Sequence, residues 1–187
     1  MNCQAIIAGV GGQGVLFAAK LFTEMARRKH QPVLGSQTFG MSQRGGSVMT
    51  HLKIGAYASP LVCEGDADLL FGLDCIEAHR TLHYLRAKHD GRGALCVVNA
   101  PAAQAFPDRR VAGLLIEMGV AVHTCDADAV AQQMHNPVLA NLVLLGFGAS
   151  REHFPFTFDE LRAATEALSG EAHRSVNLDA LNRGRAL

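Results

Sequence analysis

Hydrophobic residues in this chain fall into short continuous runs separated by stretches with helical spacing. Ala5-Ile6-Ile7-Ala8 is an apolar run that leads into Gly9-Val10-Gly11-Gly12-Gln13-Gly14, and from Val15 to Arg28 the pattern is that of a helix. Pro32 to Thr38 reads as a second strand and Gly46 to Gly55 as a third. In the third, Val48, Thr50, Leu52 and Ile54 alternate with Ser47, Met49, His51 and Lys53, the period of a strand buried on one face. Tyr57 to Val62 is placed beside it as a hairpin partner. Asp68-Leu69-Leu70-Phe71-Gly72-Leu73 is apolar without alternation, as in strands covered on both faces. Asp74 then caps a helix, with Glu77 completing a capping box and Cys75, Ala78, Leu82 and Leu85 forming one apolar stripe. Ala94 to Asn99 and Val120 to Thr124 are further strands, separated by a helix from about Asp108 to Met118.

The last third is helical. Asn136-Pro137 opens a helix that runs to Gly146, Thr157-Phe158-Asp159-Glu160 is a capping box, and a short closing helix holds Val176, Leu178 and Leu181. The alternation of strand and helix predicts an α/β fold: a mostly parallel, Rossmann-like sheet with helices on both faces and a helical C-terminal cover. With no repeat or dividing linker, residues 1–187 are expected to form one domain. The first helix is apolar around most of its circumference, with only Lys20, Glu24, Arg27 and Arg28 as a polar stripe. Its outer face is therefore expected to meet either the C-terminal helices or another chain.

Composition narrows the function. Apolar residues make up 49% and charged residues 18%, and 17 basic residues balance 17 acidic ones. Nothing in that balance points to nucleic acid. The start of the chain lacks a charged leader, and no apolar stretch nears the roughly 18 residues of a membrane span, so a cytoplasmic, non-membrane protein is expected. The five cysteines (Cys3, Cys63, Cys75, Cys96 and Cys125) are widely spaced, without a C-x-x-C pair. That spacing argues against an iron–sulfur cluster, a structural zinc or a disulfide framework held by this chain alone. His79 and His83 lie four apart on the capped helix but without the H-E-x-x-H pattern, and they read as rim residues.

Two segments carry candidate chemistry. The turn from Gly9 to Gly14 sits between a strand and a helix, where free backbone N–H groups favour an anion, and its spacing is that of G-x-G-x-x-G. A dinucleotide site also needs an acid about 20 residues further on. Pro32-Val33-Leu34-Gly35-Ser36-Gln37-Thr38 has none, so an anion contact, a tight packing turn and an ordinary dinucleotide site all stand as readings. The absence of Gly-Lys-Ser/Thr excludes a Walker-type loop. The second segment is Phe39-Gly40-Met41-Ser42-Gln43-Arg44-Gly45-Gly46-Ser47, in which a planar guanidinium adjoins paired glycines, an arrangement suited to phosphate or carboxylate or, equally, to a solvated loop. Gly65-Asp66 with Asn99 is rejected as a thiamine-diphosphate motif because Ala67 replaces its second glycine.

Taken together, Gly9 to Val15, Gly40 to Val48 with Thr50-His51, Ser59 to Val62 and Gly65 to Asp68 resemble the gamma-type subunit or domain of the 2-oxoacid:ferredoxin (acceptor) oxidoreductases. The form Met41-Ser42-Gln43-Arg44-Gly45-Gly46 most resembles the beta subunit of indolepyruvate ferredoxin oxidoreductases. The likeness extends to Asn141-Leu142-Val143-Leu144-Leu145-Gly146 and to Asn177 through Gly184. The resemblance implies an accessory subunit of an enzyme that converts a 2-oxoacid and coenzyme A to acyl-CoA and CO2 with reduction of ferredoxin. The substrate would be an arylpyruvate such as indolepyruvate, the alternatives being pyruvate or 2-oxoglutarate, or else a free-standing nucleotide- or CoA-binding module. It further implies that thiamine diphosphate, Mg and iron–sulfur clusters reside in a larger partner subunit, that ferredoxin is met through the complex, and that the isolated chain is inactive and able to pair with a copy of itself. Gly9, Gly11, Gly12, Gln13, Gly14, Gln43, Arg44, Gly45 and Gly46 are the expected cofactor-contacting positions, as positioning groups; no catalytic or metal-binding residue is assigned.

Overall fold

A computed structural model of the chain describes residues 1–39, 45–89, 93–101, 106 and 108–187. The strands are β1 (Cys3–Val10), β2 (Val33–Phe39), β3 (Ser47–Ile54), β4 (Leu69–Gly72), β5 (Leu95–Asn99) and β6 (Ala121–Cys125). The helices are α1 (Val15–Arg28), α2 (Cys75–Arg80), α3 (Arg109–Glu117), α4 (Ala127–Gln133), α5 (Ala140–Gly148), α6 (Phe158–Leu168) and α7 (Glu171–Arg185), with 3-10 turns at Leu82–Tyr84 and Pro137–Leu139. The sheet order is β2-β3-β1-β4-β5-β6. β1, β4, β5 and β6 run parallel, and β3 runs antiparallel to both β1 and β2.

The continuous apolar runs are explained by burial on both faces of this sheet. On one face Ala5, Ile7, Leu52, Leu69, Phe71 and Val97 pack against α1, α5, α6 and α7. On the other, Ile6, Ala8, Leu70, Cys96 and Val98 meet Ala78 of α2, Leu85 and Leu115 of α3. Each Ile, Leu, Val or Phe among them contributes about 1.5–3 kcal/mol when fully buried. Phe22 of α1 joins the layers, with ring centroids 5.9 Å from Phe71, 5.7 Å from Phe154 and 6.0 Å from Phe156. The outer side of α1 is covered largely by the chain's own C-terminal portion: α6 packs on it, and Lys29 Nζ pairs with Glu160 Oε1 at 2.8 Å. The capping box at Thr157 and Glu160 forms, each residue's side-chain oxygen accepting from the other's N–H. α5 is apolar all round and buried from Asn141 to Gly148. It lies against α7 so closely that a Cβ on Gly184 would overlap the Val143 carbonyl, and one on Gly146 the Leu181 carbonyl.

Several expectations are corrected. Tyr57 to Val62 is not a strand, because β3 already has β1 and β2 as neighbours and offers no edge. That segment instead covers the second face of β3, so His51 and Lys53 are only 4% and 8% exposed rather than facing water. The Val62 N–H donates to His51 Nδ1 at 3.2 Å, and the Lys53 ammonium sits 5.2 Å from the Tyr57 ring centre. Asp74 does cap α2, accepting from the Ile76 and Glu77 N–H groups, but Glu77 turns away to Ser47 and Arg80, so the box is half formed. The helix ends at Arg80, which separates His79 from His83: His79 lies against Phe106 and His83 against Tyr84. Cys75, Ala78, Leu82 and Leu85 span that break, yet all pack inward on the second cluster. α4 escaped the sequence reading, although Asp126 caps it by accepting from the Ala129 N–H. The stretch after Asn136-Pro137 starts as a 3-10 turn before α5, and the closing helix is long, with 15 residues in α7.

Gly184→Ala is expected to cost about 1–3 kcal/mol by forcing α5 and α7 apart. Gly113→Ala, in an exposed part of α3 where an added Cβ meets nothing within 4 Å, is expected to stabilise by about 0.5–1 kcal/mol. Urea unfolding midpoints that move in opposite directions would bear this out.

His51 gives a pH dependence of definite sign. Burial, and then the Lys53 ammonium, hold its pKa below the usual 6.5. The unfolded imidazole therefore takes a proton that the folded one refuses, so stability falls as the pH drops below about 6.5. Denaturation curves at pH 7.5 and 5.5 are expected to differ more for the wild type than for His51→Gln, whose amide oxygen still accepts from Val62 without titrating.

Candidate functional site

The glycine turn closes on itself. The Val10 N–H donates to Gln13 Oε1 at 2.7 Å, the Gln13 N–H donates to the Val10 carbonyl at 3.0 Å, and the Ala18 N–H reaches Gly14 O at 2.9 Å to start α1. Gly12 and Gly14 have φ of 107° and 85°, a region that L side chains avoid. Beneath the turn the fit is tight. A Cβ on Gly9 would press on Gln13, Val15 and Leu73, and one on Gly14 would overlap the Asn141 amide nitrogen. Gly12 is different, since an added Cβ there meets nothing within 4 Å.

The two glycine segments are bonded to each other. Because β3 is antiparallel to β1, Ser47 pairs with Val10 and the start of β3 lies at the end of β1. The Gly11 N–H donates to Gly46 O at 2.8 Å, and the Gly45 N–H to Gly11 O at 3.4 Å. Gln43 and Arg44 lie outside the described residues, as do Gly40, Met41 and Ser42. Beside this junction a cavity of about 610 Å3 is lined by Gly11, Gly12, Gly14, the first turn of α1, Lys20 and Val48. α1 has no acidic residue in its first turn, so the positive end of its dipole, the unpaired first-turn N–H groups and Lys20 together favour an anion. A second cavity, of about 260 Å3, opens on the other side of the turn between Gly12, Gln13, Leu73, Asn99, Asp128 and Asn141.

A Rossmann-type dinucleotide pocket is not assembled here. The strand beside β1 is β3, not β2, and the residue it brings to the mouth is Ser47, whose hydroxyl donates to Glu77 Oε2 at 2.6 Å on the α2 face. Asp66 and Asn99 lie toward opposite ends of the neighbouring strands β4 and β5, so they cannot converge on one cofactor. Asn99 instead donates to the Leu73 carbonyl and Asp128 Oδ2, and accepts from the Ala127 N–H. Cys3, Cys96 and Cys125 are buried, Cys75 is half-buried and Cys63 is exposed. Burial pushes the Cys3 and Cys125 thiols up to about 12, and Cys96 upward as well, which disfavours the thiolate that a metal requires. Among the described residues no three His, Cys, Asp or Glu side chains cluster as metal ligands, and no helix is long and apolar enough to cross a membrane.

Comparison with known proteins places the chain. Residues 4–187 match the family described as pyruvate ferredoxin/flavodoxin oxidoreductase. The chain belongs to that family. It is 31% identical over 192 residues to the indolepyruvate oxidoreductase subunit IorB of Thermococcus kodakarensis, spanning 96% of this chain and 92% of that protein. It is 28% identical over 194 residues to the protein of the same name from Archaeoglobus fulgidus, spanning 98% and 94%. The match is thus subunit to subunit over nearly full length. Among solved structures, the gamma subunit of a keto/oxoacid ferredoxin oxidoreductase from Geobacter sulfurreducens shares the fold, with a TM-score of 0.73, 20% identity, and 97% and 95% of the two chains covered. A 2-oxoglutarate:ferredoxin oxidoreductase from Magnetococcus marinus does so with the same TM-score and 23% identity, covering 99% of this chain and 30% of that one.

Gln13 is the side chain on which the turn's shape rests. Gln13→Leu strands the half-buried Val10 N–H and is expected to cost about 1–2 kcal/mol, whereas Gln13→Glu keeps an acceptor and retains most of that stability. Thermal unfolding of the two variants separates these outcomes.

Proposed function

We propose that the chain is the small, non-catalytic subunit of a cytoplasmic, heteromeric 2-oxoacid:ferredoxin oxidoreductase that acts on an arylpyruvate such as indolepyruvate. The observation that carries this reading is the pair of backbone hydrogen bonds between Gly11 and the Gly45-Gly46 segment, which unites the two motifs on which the family likeness rests. The preference for an arylpyruvate over pyruvate or 2-oxoglutarate is supported by relatives named for indolepyruvate at 28% and 31% identity. A coenzyme A co-substrate is in keeping with the Magnetococcus marinus enzyme, which is described with coenzyme A bound.

The larger partner subunit is assigned thiamine diphosphate, Mg and the iron–sulfur clusters, which supply carbanion stabilisation and electron removal when bound; ferredoxin meets the assembly there. This chain contributes positioning. Its glycine turn and the Gln43-Arg44 segment, continuous with Gly45 and Gly46, present backbone N–H groups and a guanidinium to an anionic part of the substrate or coenzyme. In isolation the chain is expected to be colourless under anaerobic reconstitution, without 2-oxoacid turnover, and to self-associate where the partner is missing. Absorption near 400 nm in proportion to protein, or turnover by the chain alone, would overturn the division of labour.

The assembled enzyme tests the role of Arg44. A charge-assisted contact is worth roughly 1.5–3 kcal/mol, so Arg44→Ala is expected to raise the KM for coenzyme A or the oxoacid about 10- to 150-fold. Arg44→Lys recovers only part of this, because an ammonium lacks the planar fork. Weakened assembly in gel filtration with an unchanged KM would instead make Arg44 an interface residue. A panel of indolepyruvate, pyruvate and 2-oxoglutarate on the same preparation tests the substrate.

A further inference from the structure

β2 is a free edge of the sheet, bonded to β3 on one side and, among the described residues, to no strand on the other. The ladder shows which of its backbone groups are idle. The Gly55 N–H donates to the Pro32 carbonyl at 2.9 Å, and the register of β2 on β3 continues from that pair. Bonded and unbonded pairs alternate in an antiparallel ladder, so Leu34, Ser36 and Thr38 turn their N–H and C=O groups to β3, whereas those of Val33, Gly35, Gln37 and Phe39 point outward. Among the described residues no backbone group bonds to them.

Folded proteins shield such an edge with a charge, a proline, a bulge or a covering segment. The run Val33-Leu34-Gly35-Ser36-Gln37-Thr38-Phe39 has neither charge nor proline, and its pairing with β3 is unbroken. Gly35, Gln37 and Thr38 are exposed. Beside the strand on the α1 face runs an open groove of about 760 Å3, lined by Val33, Gly35 and Gln37 together with Leu16 and Leu168, which are 39% and 40% exposed. Its charged rim is Lys20 and, one turn further along α1, Glu24.

The strand is complementary to itself. A second copy, turned about a two-fold axis through Ser36, brings its Phe39 opposite Val33 and its Gln37 opposite Gly35, so that every outward N–H and C=O finds a partner. Gly35 leaves room for the Gln37 side chain that faces it. Along the strands no like charges meet. The same rotation reverses α1 and carries Lys20, which has no ion pair among the described residues, toward Glu24 of the other copy, an acid that Arg27 and Arg28 bond from outside the groove lining.

We propose that β2 is the seam of a two-fold dimer in which the sheets of two copies of this chain run on as one. This gives a surface to the self-association expected of the isolated chain, and the oxidoreductase reading does not depend on it.

Sedimentation velocity of the full chain over a concentration series, with amide hydrogen exchange, tests the seam. A dimer is expected, with exchange at the Val33, Gly35 and Gln37 amides slowing as it fills. Gln37→Pro removes an outward donor that β3 does not use and is expected to weaken the dimer about tenfold or more. Ser36→Asp sets two carboxylates face to face on the axis and is expected to weaken it about fivefold or more, while mixing that variant with Ser36→Lys restores a heterodimer. A monomer at every concentration, a dimer indifferent to both substitutions, or failure of the mixed pair to associate would overturn the proposal. Protection of the β2 amides only on addition of the larger subunit would also overturn it, and would assign the edge to that subunit. Turnover by the assembled enzyme is read separately, so a monomeric chain leaves the proposed reaction standing.

Discussion

The insertion of one antiparallel strand next to the central one is the constraint from which the site follows. Strand register leaves no freedom: with β3 antiparallel to β1, the residue opposite Val10 has to be Ser47, and Gly45-Gly46 must then lie over Gly11. Had β2 taken that place in parallel, its carboxyl end would have come to the mouth of the turn, as in dinucleotide-binding sheets. In this chain β2 is one strand removed, and the two glycine segments, separated by a helix and a strand in sequence, meet instead.

Support for the arrangement comes from two sides of unequal weight. On the α1 face the sheet is covered by α1, α5, α6 and α7, with the glycine contacts at Gly146 and Gly184 bringing α5 and α7 together. On the other face the cover is thinner and less regular, with the short α2, a 3-10 turn, α3 and the 57–62 segment that hides His51 and Lys53. On that side Glu77 is partnered by Ser47 and Arg80, whereas His79 Nδ1 and Gln4 Oε1 are buried without a hydrogen-bond partner.

Much of this was legible in the sequence where a single period or cap decides the outcome. α1 spans the residues that its apolar pattern marks, and the Thr157 box forms because both halves are local. What escaped the pattern depended on distant parts of the chain. His51 and Lys53 look solvent-facing in an alternating strand, and only the return of Val62, Tyr57 and Tyr84 buries them. Glu77 has the right spacing for a box, but Ser47, thirty residues earlier, offers its carboxylate a hydroxyl. The glycine turn was visible as a motif, while its bond to Gly46 was not, because strand order cannot be read from spacing. Asn141 did carry a signal, a lone amide in the run Ala140 to Leu145, but its meaning appears only when Gly14 is seen against it.

The burial of α5 from Asn141 to Gly148 has a kinetic consequence. A helix enclosed on every side opens to solvent only when the domain itself opens, so its amide protons belong with the slowest-exchanging class. The turn that faces it is exposed at Gly12 but packs against this helix at Gly14. The contact of Asn141 beneath Gly14 thus ties the base of the turn to the part of the fold that opens last.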